Sequence, residues 1–218
     1  MTVDITDMQV TETDIEGLVI VTLKQVTDDR GTVREFYRVS AYADGPFAGA
    51  GDWQQINVTE TKYGAIRGMH GEQMVKLVAC VSGESFGAYL DARTDSASFG
   101  KVVTVTLKPG TQVLVPAGVC NGFQSVSESG TQYLYCFTDE WKPGMAGMAY
   151  TPLDEGLGID WPIPLDVDNP AQISAKDAGA PRFTDIAAEI PADTAADSVA
   201  DSAADSATGT DADPVAGR

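Results

Sequence analysis

The chain has 218 residues, of which 43% are hydrophobic and 8% aromatic, so it has enough apolar side chains to bury a core. Its 32 acidic residues outnumber the 14 basic ones and give a formal net charge of -18, which excludes a globally basic nucleic-acid binder. No apolar run approaches the roughly 20 residues that span a bilayer, and the N-terminus has no basic region before an apolar core. We therefore expect a soluble cytoplasmic protein with no membrane or nucleic-acid partner.

The body of the chain is predicted to consist of β-strands separated by turn sequences such as Lys108-Pro109-Gly110-Thr111. Runs rich in β-branched and aromatic residues give the predicted strands, in chain order: Gly17–Lys24, Val33–Tyr42, Trp53–Thr59, Gly64–His70, Met74–Val81, Ser85–Arg93, Val102–Lys108, Gln112–Pro116, Gly122–Val126 and Gln132–Thr138. Nine or ten short strands at this spacing predict an all-β antiparallel sandwich, jelly roll or barrel. No crossover helices are available for a parallel sheet, and the one predicted helix lies near Pro181–Ile190.

The last segment, residues 191–218, differs from the rest because it is rich in alanine and aspartate and has no aromatic residue. Six aspartates and one arginine give this tail a charge of -5, so the body retains -13. With so little apolar surface to bury, the tail is predicted to be disordered. The predicted domains are therefore residues 1–190 and an acidic tail of residues 191–218.

Histidine and cysteine are scarce, which limits the kinds of site. His70 is the one histidine, and the three cysteines (Cys80, Cys120 and Cys136) form no closely spaced pair, so neither a disulfide framework nor a site of several imidazoles or thiolates is indicated. An all-carboxylate magnesium or calcium site remains open, although no calcium-loop spacing occurs. No metal is expected.

Two charged side chains interrupt otherwise apolar strands. In Ile66-Arg67-Gly68-Met69-His70 strict alternation would send Arg67 and His70 to opposite faces, but Gly68 permits a bulge that brings both to one interior. The alternative is a surface or hydrogen-bonded core histidine. Lys76 lies in an apolar strand, where it is either an edge lysine that opposes aggregation or a buried ammonium suited to an enolate.

Nine short motifs follow one another along the chain: Asp28-Asp29-Arg30-Gly31-Thr32-Val33-Arg34-Glu35-Phe36, Gln55-Ile56-Asn57, Ile66-Arg67-Gly68-Met69-His70, Lys76-Leu77-Val78, Phe99-Gly100, Val115-Pro116-Ala117-Gly118, Asn121-Gly122-Phe123, Ile159-Asp160-Trp161-Pro162 and Ile173-Ser174-Ala175-Lys176-Asp177. Together and in this order they resemble the dTDP-4-dehydrorhamnose 3,5-epimerase family of nucleotide-deoxysugar enzymes, and the resemblance covers about Leu18 to Ile186.

The resemblance implies a cupin-type jelly roll that works as a homodimer on a dTDP-linked 4-keto-6-deoxyhexose, with no cofactor. It assigns His70 as the base beside the C4 carbonyl, Asp177 as the carboxylate behind that imidazole, and Lys76 as the group that stabilises the enolate. It places the remaining matched residues in substrate binding, with Arg30 able to reach a neighbouring subunit's site: Arg30, Glu35, Gln55, Asn57, Arg67 and Asn121.

Two positions depart from the family pattern. The family's second histidine is Asn121, which can hydrogen-bond but cannot carry positive charge. The family's proposed acid, a tyrosine, is matched to Trp141, whose indole is not a useful proton donor but can stack on a sugar or thymine. Tyr135 lies six residues earlier, about 20 Å along an extended strand, and on that basis does not substitute.

A missing acid predicts an altered epimerase that is slow, restricted to one carbon, or specific for another keto-sugar. Two other interpretations stay open: a non-catalytic nucleotide-sugar-binding cupin, which Trp141 favours, and a ketoisomerase of the same barrel type. A metal-dependent cupin is the least favoured of the alternatives.

Overall fold

The computed structural model describes residues 2–47, 50 and 52–190, and the predicted acidic tail lies outside them. Fourteen strands are described: β1 (Asp4–Thr6), β2 (Gln9–Glu12), β3 (Val19–Thr22), β4 (Gln25–Asp28), β5 (Gly31–Arg34), β6 (Gln55–Thr61), β7 (Ile66–Glu72), β8 (Lys76–Ser82), β9 (Ser85–Asp91), β10 (Val102–Leu107), β11 (Thr111–Val115), β12 (Val119–Ser125), β13 (Thr131–Phe137) and β14 (Gly147–Ala149). Two short helices follow, α1 (Ala175–Ala178) and α2 (Phe183–Ala187).

These strands form two large antiparallel sheets and a small one. The six-stranded sheet has the order β2-β3-β11-β8-β13-β6, and the five-stranded sheet has the order β10-β9-β12-β7-β14. Strands β1, β4 and β5 form the third sheet. The predicted all-β fold, a jelly roll of cupin type, is confirmed. Within the described residues, no helix has the length and apolar character needed to cross a membrane.

The core lies between the two large sheets. Val78, Cys80 and Tyr133 of the six-stranded sheet pack with Tyr89 and Phe123 of the five-stranded sheet. The Phe123 and Tyr133 rings stack with centroids 3.8 Å apart. Burial of these side chains holds the sheets face to face and forms the floor of the cavity described below.

The outer faces of both sheets are covered by non-strand segments. On the six-stranded sheet, Tyr42 and Phe47 pack with Val21, Leu77 and neighbouring residues. On the five-stranded sheet, the segment that includes Tyr150, Leu157 and Phe183 packs against Met69, Leu90 and Cys120. This second segment continues through α1, which brings the C-terminal part of the domain to the edge of the cavity.

The prediction of a strand over Val33–Tyr42 was wrong beyond Arg34, where β5 ends. Residues Val39–Ala41 form a 3₁₀ turn, and Phe36, Tyr37 and Tyr42 pack onto the six-stranded sheet. The Tyr42 hydroxyl donates a hydrogen bond of 2.7 Å to Gln112 Oε1. The aromatic residues that favoured a strand are used here to cover a sheet face. The helix predicted near Pro181–Ile190 is confirmed as α2.

Candidate active site

A cavity of about 960 Å³ opens between the two large sheets at the end of the core. His70 comes from β7 in the five-stranded sheet, whereas Lys76 comes from β8 in the six-stranded sheet. Asp177 comes from α1, and all three side chains line the cavity. The predicted catalytic residues therefore lie in one place, although His70 and Asp177 are 107 residues apart in the chain.

A bulge in β7 aims His70 and Arg67 into this cavity, as the sequence analysis predicted. His70 pairs with Asn121 and Arg67 with Phe123, so two residues of β7 face one residue of β12. Gly68 has φ +124°, and a Cβ atom there would lie 2.4 Å from the Gly122 Cα atom. Only glycine fits at this crossing, because any side chain would collide with the neighbouring backbone.

His70 is braced by a buried carboxylate. Its Nε2 atom lies 2.8 Å from Asp177 Oδ1, and the Ser174 hydroxyl accepts a hydrogen bond from the Asp177 backbone N–H at the start of α1. Burial opposes ionisation of Asp177, but the hydrogen bond and charge of His70 and the Gly68 N–H hold the pKa of this carboxyl below its usual value. His70 is therefore a hydrogen-bonded histidine whose side chain is 38% exposed and lines the cavity.

Lys76 is 4% exposed and lies in the interior of the six-stranded sheet, with β11 and β13 on either side. The alternative of an edge lysine is wrong. Its Nζ atom donates to Glu72 Oε2 at 2.6 Å, to the His70 carbonyl oxygen at 3.2 Å and to Asn121 Oδ1. Glu72 was not anticipated as part of the site. An acidic residue at the end of a strand gives no signal that distinguishes it from a solvated one.

The predicted binding residues divide into three groups: four that line the cavity, one that supports its wall and two that lie away from it. Asn57, Arg67, Asn121 and Trp141 line the cavity. Gln55 supports this wall, because its Oε1 accepts a hydrogen bond of 2.8 Å from the Trp141 backbone N–H and its Nε2 donates to Asn57.

Arg30 and Glu35 do not line the cavity of their own chain. The Arg30 side chain is 82% exposed in the β4–β5 turn and pairs with Asp28, and Glu35 pairs with Arg38. The family resemblance implies that Arg30 can reach a neighbouring subunit's site, and that stays a prediction.

Tyr135 is the cavity residue that the sequence analysis set aside. It lies on β13, lines the cavity together with His70 and Trp141, and its hydroxyl is 2.6 Å from Thr59 Oγ1. The strand ends at Phe137, and the chain then turns, so the extended-strand distance from Trp141 does not separate the two side chains. The distance along the chain alone therefore does not exclude Tyr135 as a site residue. The structural pairing of Phe137 with Lys76 places this part of β13 beside the cavity, and the sequence alone gives no such signal.

The cavity holds four basic side chains beside the carboxylates of Glu60, Glu72 and Asp177. Lys62, Arg67 and Lys176 line it alongside Lys76, although the chain as a whole is strongly acidic. Within the described residues, no group of three or more histidine, cysteine or carboxylate side chains is arranged to hold a metal ion. Burial raises the pKa of the nearby Cys120 thiol to about 12, so this cysteine is not a thiolate nucleophile at neutral pH.

Comparisons with known proteins point to one family. The sequence profile of the dTDP-4-dehydrorhamnose 3,5-epimerase family matches residues 12–185. The dTDP-4-dehydrorhamnose 3,5-epimerase of Salmonella typhimurium is 33% identical over 180 residues, which is 80% of this chain and 94% of that protein. A dTDP-4-dehydrorhamnose 3-epimerase of Streptomyces niveus is 29% identical over 180 residues, covering 76% of this chain and 84% of that protein.

Solved structures give the same result. The dTDP-6-deoxy-D-glucose-3,5-epimerase of Legionella pneumophila, in complex with dTDP-4-keto-L-rhamnose, superposes with a TM-score of 0.73 and 30% identity. The superposition covers 86% of this chain and 97% of that one.

Proposed function

The chain belongs to the dTDP-4-dehydrorhamnose 3,5-epimerase family, and from this we propose that it epimerises a dTDP-linked 4-keto-6-deoxyhexose beside the C4 ketone. The observation that carries the proposal is the His70–Asp177 pair, which shares one cavity between the sheets with the Lys76 ammonium. Such a set suits removal of a proton next to a carbonyl, because a base alone is insufficient unless the developing oxyanion is also stabilised.

His70 acts as the base. Its Nε2–H donates to Asp177, so Nδ1 carries the lone pair that takes the proton from the sugar carbon. Asp177 fixes this tautomer and stabilises the imidazolium that forms. The Lys76 ammonium donates a hydrogen bond to the C4 oxygen as negative charge develops on that oxygen.

Tyr135 delivers a proton from the opposite side. Inversion requires removal from one face of the ring and return to the other, and His70 and Tyr135 stand on opposite sheets of the sandwich. A phenol can donate a proton, whereas the Trp141 indole cannot do so usefully. With Tyr135 in this role, Trp141 provides a stacking surface. The presence of Trp141 then no longer predicts an enzyme that is slow or restricted to one carbon.

The diphosphate lies toward Lys62, Arg67 and Lys176, and Asn57 and Gln55 support the same wall. Arg30 and Glu35 complete the site of a second copy in a homodimer. Ile5, Val26 and Val33 lie directly opposite one another across β1, β4 and β5, and they are 59%, 37% and 74% exposed. A row of exposed apolar side chains on the hairpin that carries Arg30 is typical of a covered surface.

The test is an NMR time course with the dTDP-linked 4-keto-6-deoxyglucose in deuterated water, following C3 and C5. We expect deuterium to enter at one or both carbons and the configuration there to invert. His70→Ala should reduce exchange by about 10²–10⁴-fold. Binding without exchange in the wild type would favour the non-catalytic binder, and movement of the carbonyl to a neighbouring carbon would favour the ketoisomerase.

A further inference from the structure

The ammonium of Lys76 has three protons, and all three point at protein acceptors. They are the Glu72 carboxylate, the Asn121 amide oxygen and the His70 backbone carbonyl. To stabilise an enolate, Lys76 must exchange one of these contacts for the substrate oxygen. The acceptors that Lys76 keeps determine the position of its ammonium group in the cavity.

The three acceptors differ in strength. Glu72 is the charged one, at 2.6 Å, and hydrogen bonds between charged partners are roughly twice as strong as neutral ones. The Glu72 side chain is 16% exposed and that of Lys76 5% exposed, so water screens this pair weakly. A neutral contact, with Asn121 or with the His70 carbonyl, is therefore the one that yields.

We propose that Glu72 is a positioning residue for the epimerisation: it anchors the Lys76 ammonium at the cavity wall while one of the two neutral acceptors gives up its contact to the C4 oxygen of the substrate. This inference rests on the proposed function. Glu72 and His70 are two residues apart on β7, so the same strand that places the base also fixes the cation that works with it. The backbone of β14 pairs with Glu72 through Gly147 and holds this end of the strand in place.

The experiment measures kcat and KM for epimerisation, and solvent deuterium exchange, in two series of variants. Glu72→Ala should lower kcat by about 100-fold and change KM by less than about threefold, because the ammonium is displaced rather than the sugar nucleotide. Glu72→Asp, which keeps the charge on a shorter side chain, should recover part of kcat. Glu84→Gln, at an exposed turn, should leave both constants unchanged.

The second series repeats Glu72→Ala in a Lys76→Ala background. If Glu72 acts through Lys76, the added change should alter kcat by less than about threefold there, because coupled residues are not additive. An equal loss in both backgrounds, an unchanged kcat in the wild-type background, or a loss confined to KM would overturn the inference.

The same series separates this inference from the proposed function. If Lys76→Ala leaves exchange unchanged, the role proposed for Lys76 fails and the inference fails with it. If Lys76→Ala abolishes exchange and Glu72→Ala does not lower it, only the inference fails. Thermal unfolding of each variant identifies a loss of folding, and Glu72→Asp supplies the decisive comparison if Glu72→Ala does not fold.

Discussion

In the proposed function, Tyr135 and His70 act on the sugar from two different sheets. Each residue lies on a strand whose neighbours fix its direction, Tyr135 between Val78 and Asn57, and His70 opposite Asn121. A proton donor and a proton acceptor on facing walls can act on opposite faces of one sugar ring without a change of position. Because the two groups lie on different strands, the role of the phenol and the role of the imidazole can be tested separately.

Tyr135→Phe should remove proton delivery and leave proton removal intact. We expect deuterium exchange at the carbon beside the ketone to continue, while inverted product falls by about 10²–10⁴-fold. NMR of the reaction in deuterated water measures both quantities in one sample. Inversion at the wild-type rate would assign the acid to another group or to water.

Thr59→Val is the matched control for Tyr135→Phe. Both variants delete the hydrogen bond of 2.6 Å between Thr59 and Tyr135, at a cost of about 1 kcal/mol in stability, but only one of them deletes the phenol. Thr59→Val should therefore share the change in stability and keep inversion within a few-fold of wild type. Equal losses of inversion in the two variants would point to a structural role of the hydrogen bond.

At the residue scale, the sequence predicts side chains that are unusual for their surroundings and misses those that are not. Lys76 is conspicuous in an apolar strand, and His70 follows a glycine-permitted bulge. Glu72 gives no such signal, since a carboxylate near a strand end is ordinary until the fold brings Lys76 to it. Tyr135 was set aside because distance along the chain was used in place of distance in the fold.

At the element scale, the crossing of β7 and β12 sets the direction of His70. Gly68→Ala should destabilise the protein by about 3 kcal/mol or more, because the residue has φ +124° and its new Cβ atom would lie 2.4 Å from Gly122 Cα. The bulge would have to shift, so kcat should fall as His70 and Arg67 lose their common direction. Denaturant unfolding and steady-state kinetics measure the two effects.

Gly31→Ala separates backbone strain from steric collision. Gly31 has a similar φ of +134°, but an added Cβ atom would meet nothing within 4 Å. Its cost in stability should be about 1–3 kcal/mol, from the backbone conformation alone. A Gly68→Ala cost no larger than that of Gly31→Ala would show that the β7–β12 contact yields easily.

Strands that cross the core could be predicted as elements, whereas the short edge strands could not. The run Val102–Lys108 alternates in hydrophobicity because one face is buried, and the structure forms β10 there. Edge strands β1 and β2 have three and four residues, largely exposed, so no periodic pattern marks them. The opposite error occurred after Arg34, where aromatic residues cover a sheet and are not part of it.

At the scale of the whole molecule, a net charge of -18 and a few buried carboxylates affect stability in opposite directions as pH falls. Protonation of exposed carboxylates relieves mutual repulsion and favours the folded state. Asp91, Asp154 and Asp177 act in the other direction, because each has 8% or less of its side chain exposed. Burial opposes their ionisation, but the hydrogen bonds of their partners outweigh burial and lower the pKa of each carboxyl. The partners are Arg93, Ser96 and Ser98 for Asp91; Thr184, Gly156 and Arg182 for Asp154; and His70 for Asp177.

The direction in which these three carboxylates change the stability of the folded state with pH follows from proton linkage. Each has a lower pKa in the folded state than the value of about 3.9 in the unfolded chain, so its contribution is fully present above about pH 4. As pH falls from there through the folded pKa values, the unfolded chain binds more protons, and stability is lost by about 1.4 kcal/mol per pH unit for each proton. We therefore expect the melting temperature to rise slightly from pH 7 to about pH 5 and to fall steeply below about pH 4.

Salt distinguishes the two contributions. At 1 M salt the Debye length is about 3 Å, so repulsion among exposed charges is screened and the rise between pH 7 and pH 5 should flatten. The acid fall should persist, because the partners of Asp91 and Asp154 are in direct hydrogen-bond contact within 3.3 Å. Scanning calorimetry at low and high salt over this pH range measures both the rise and the fall of the melting temperature. A melting temperature that keeps rising to pH 3 would mean that relief of repulsion outweighs the buried carboxylates.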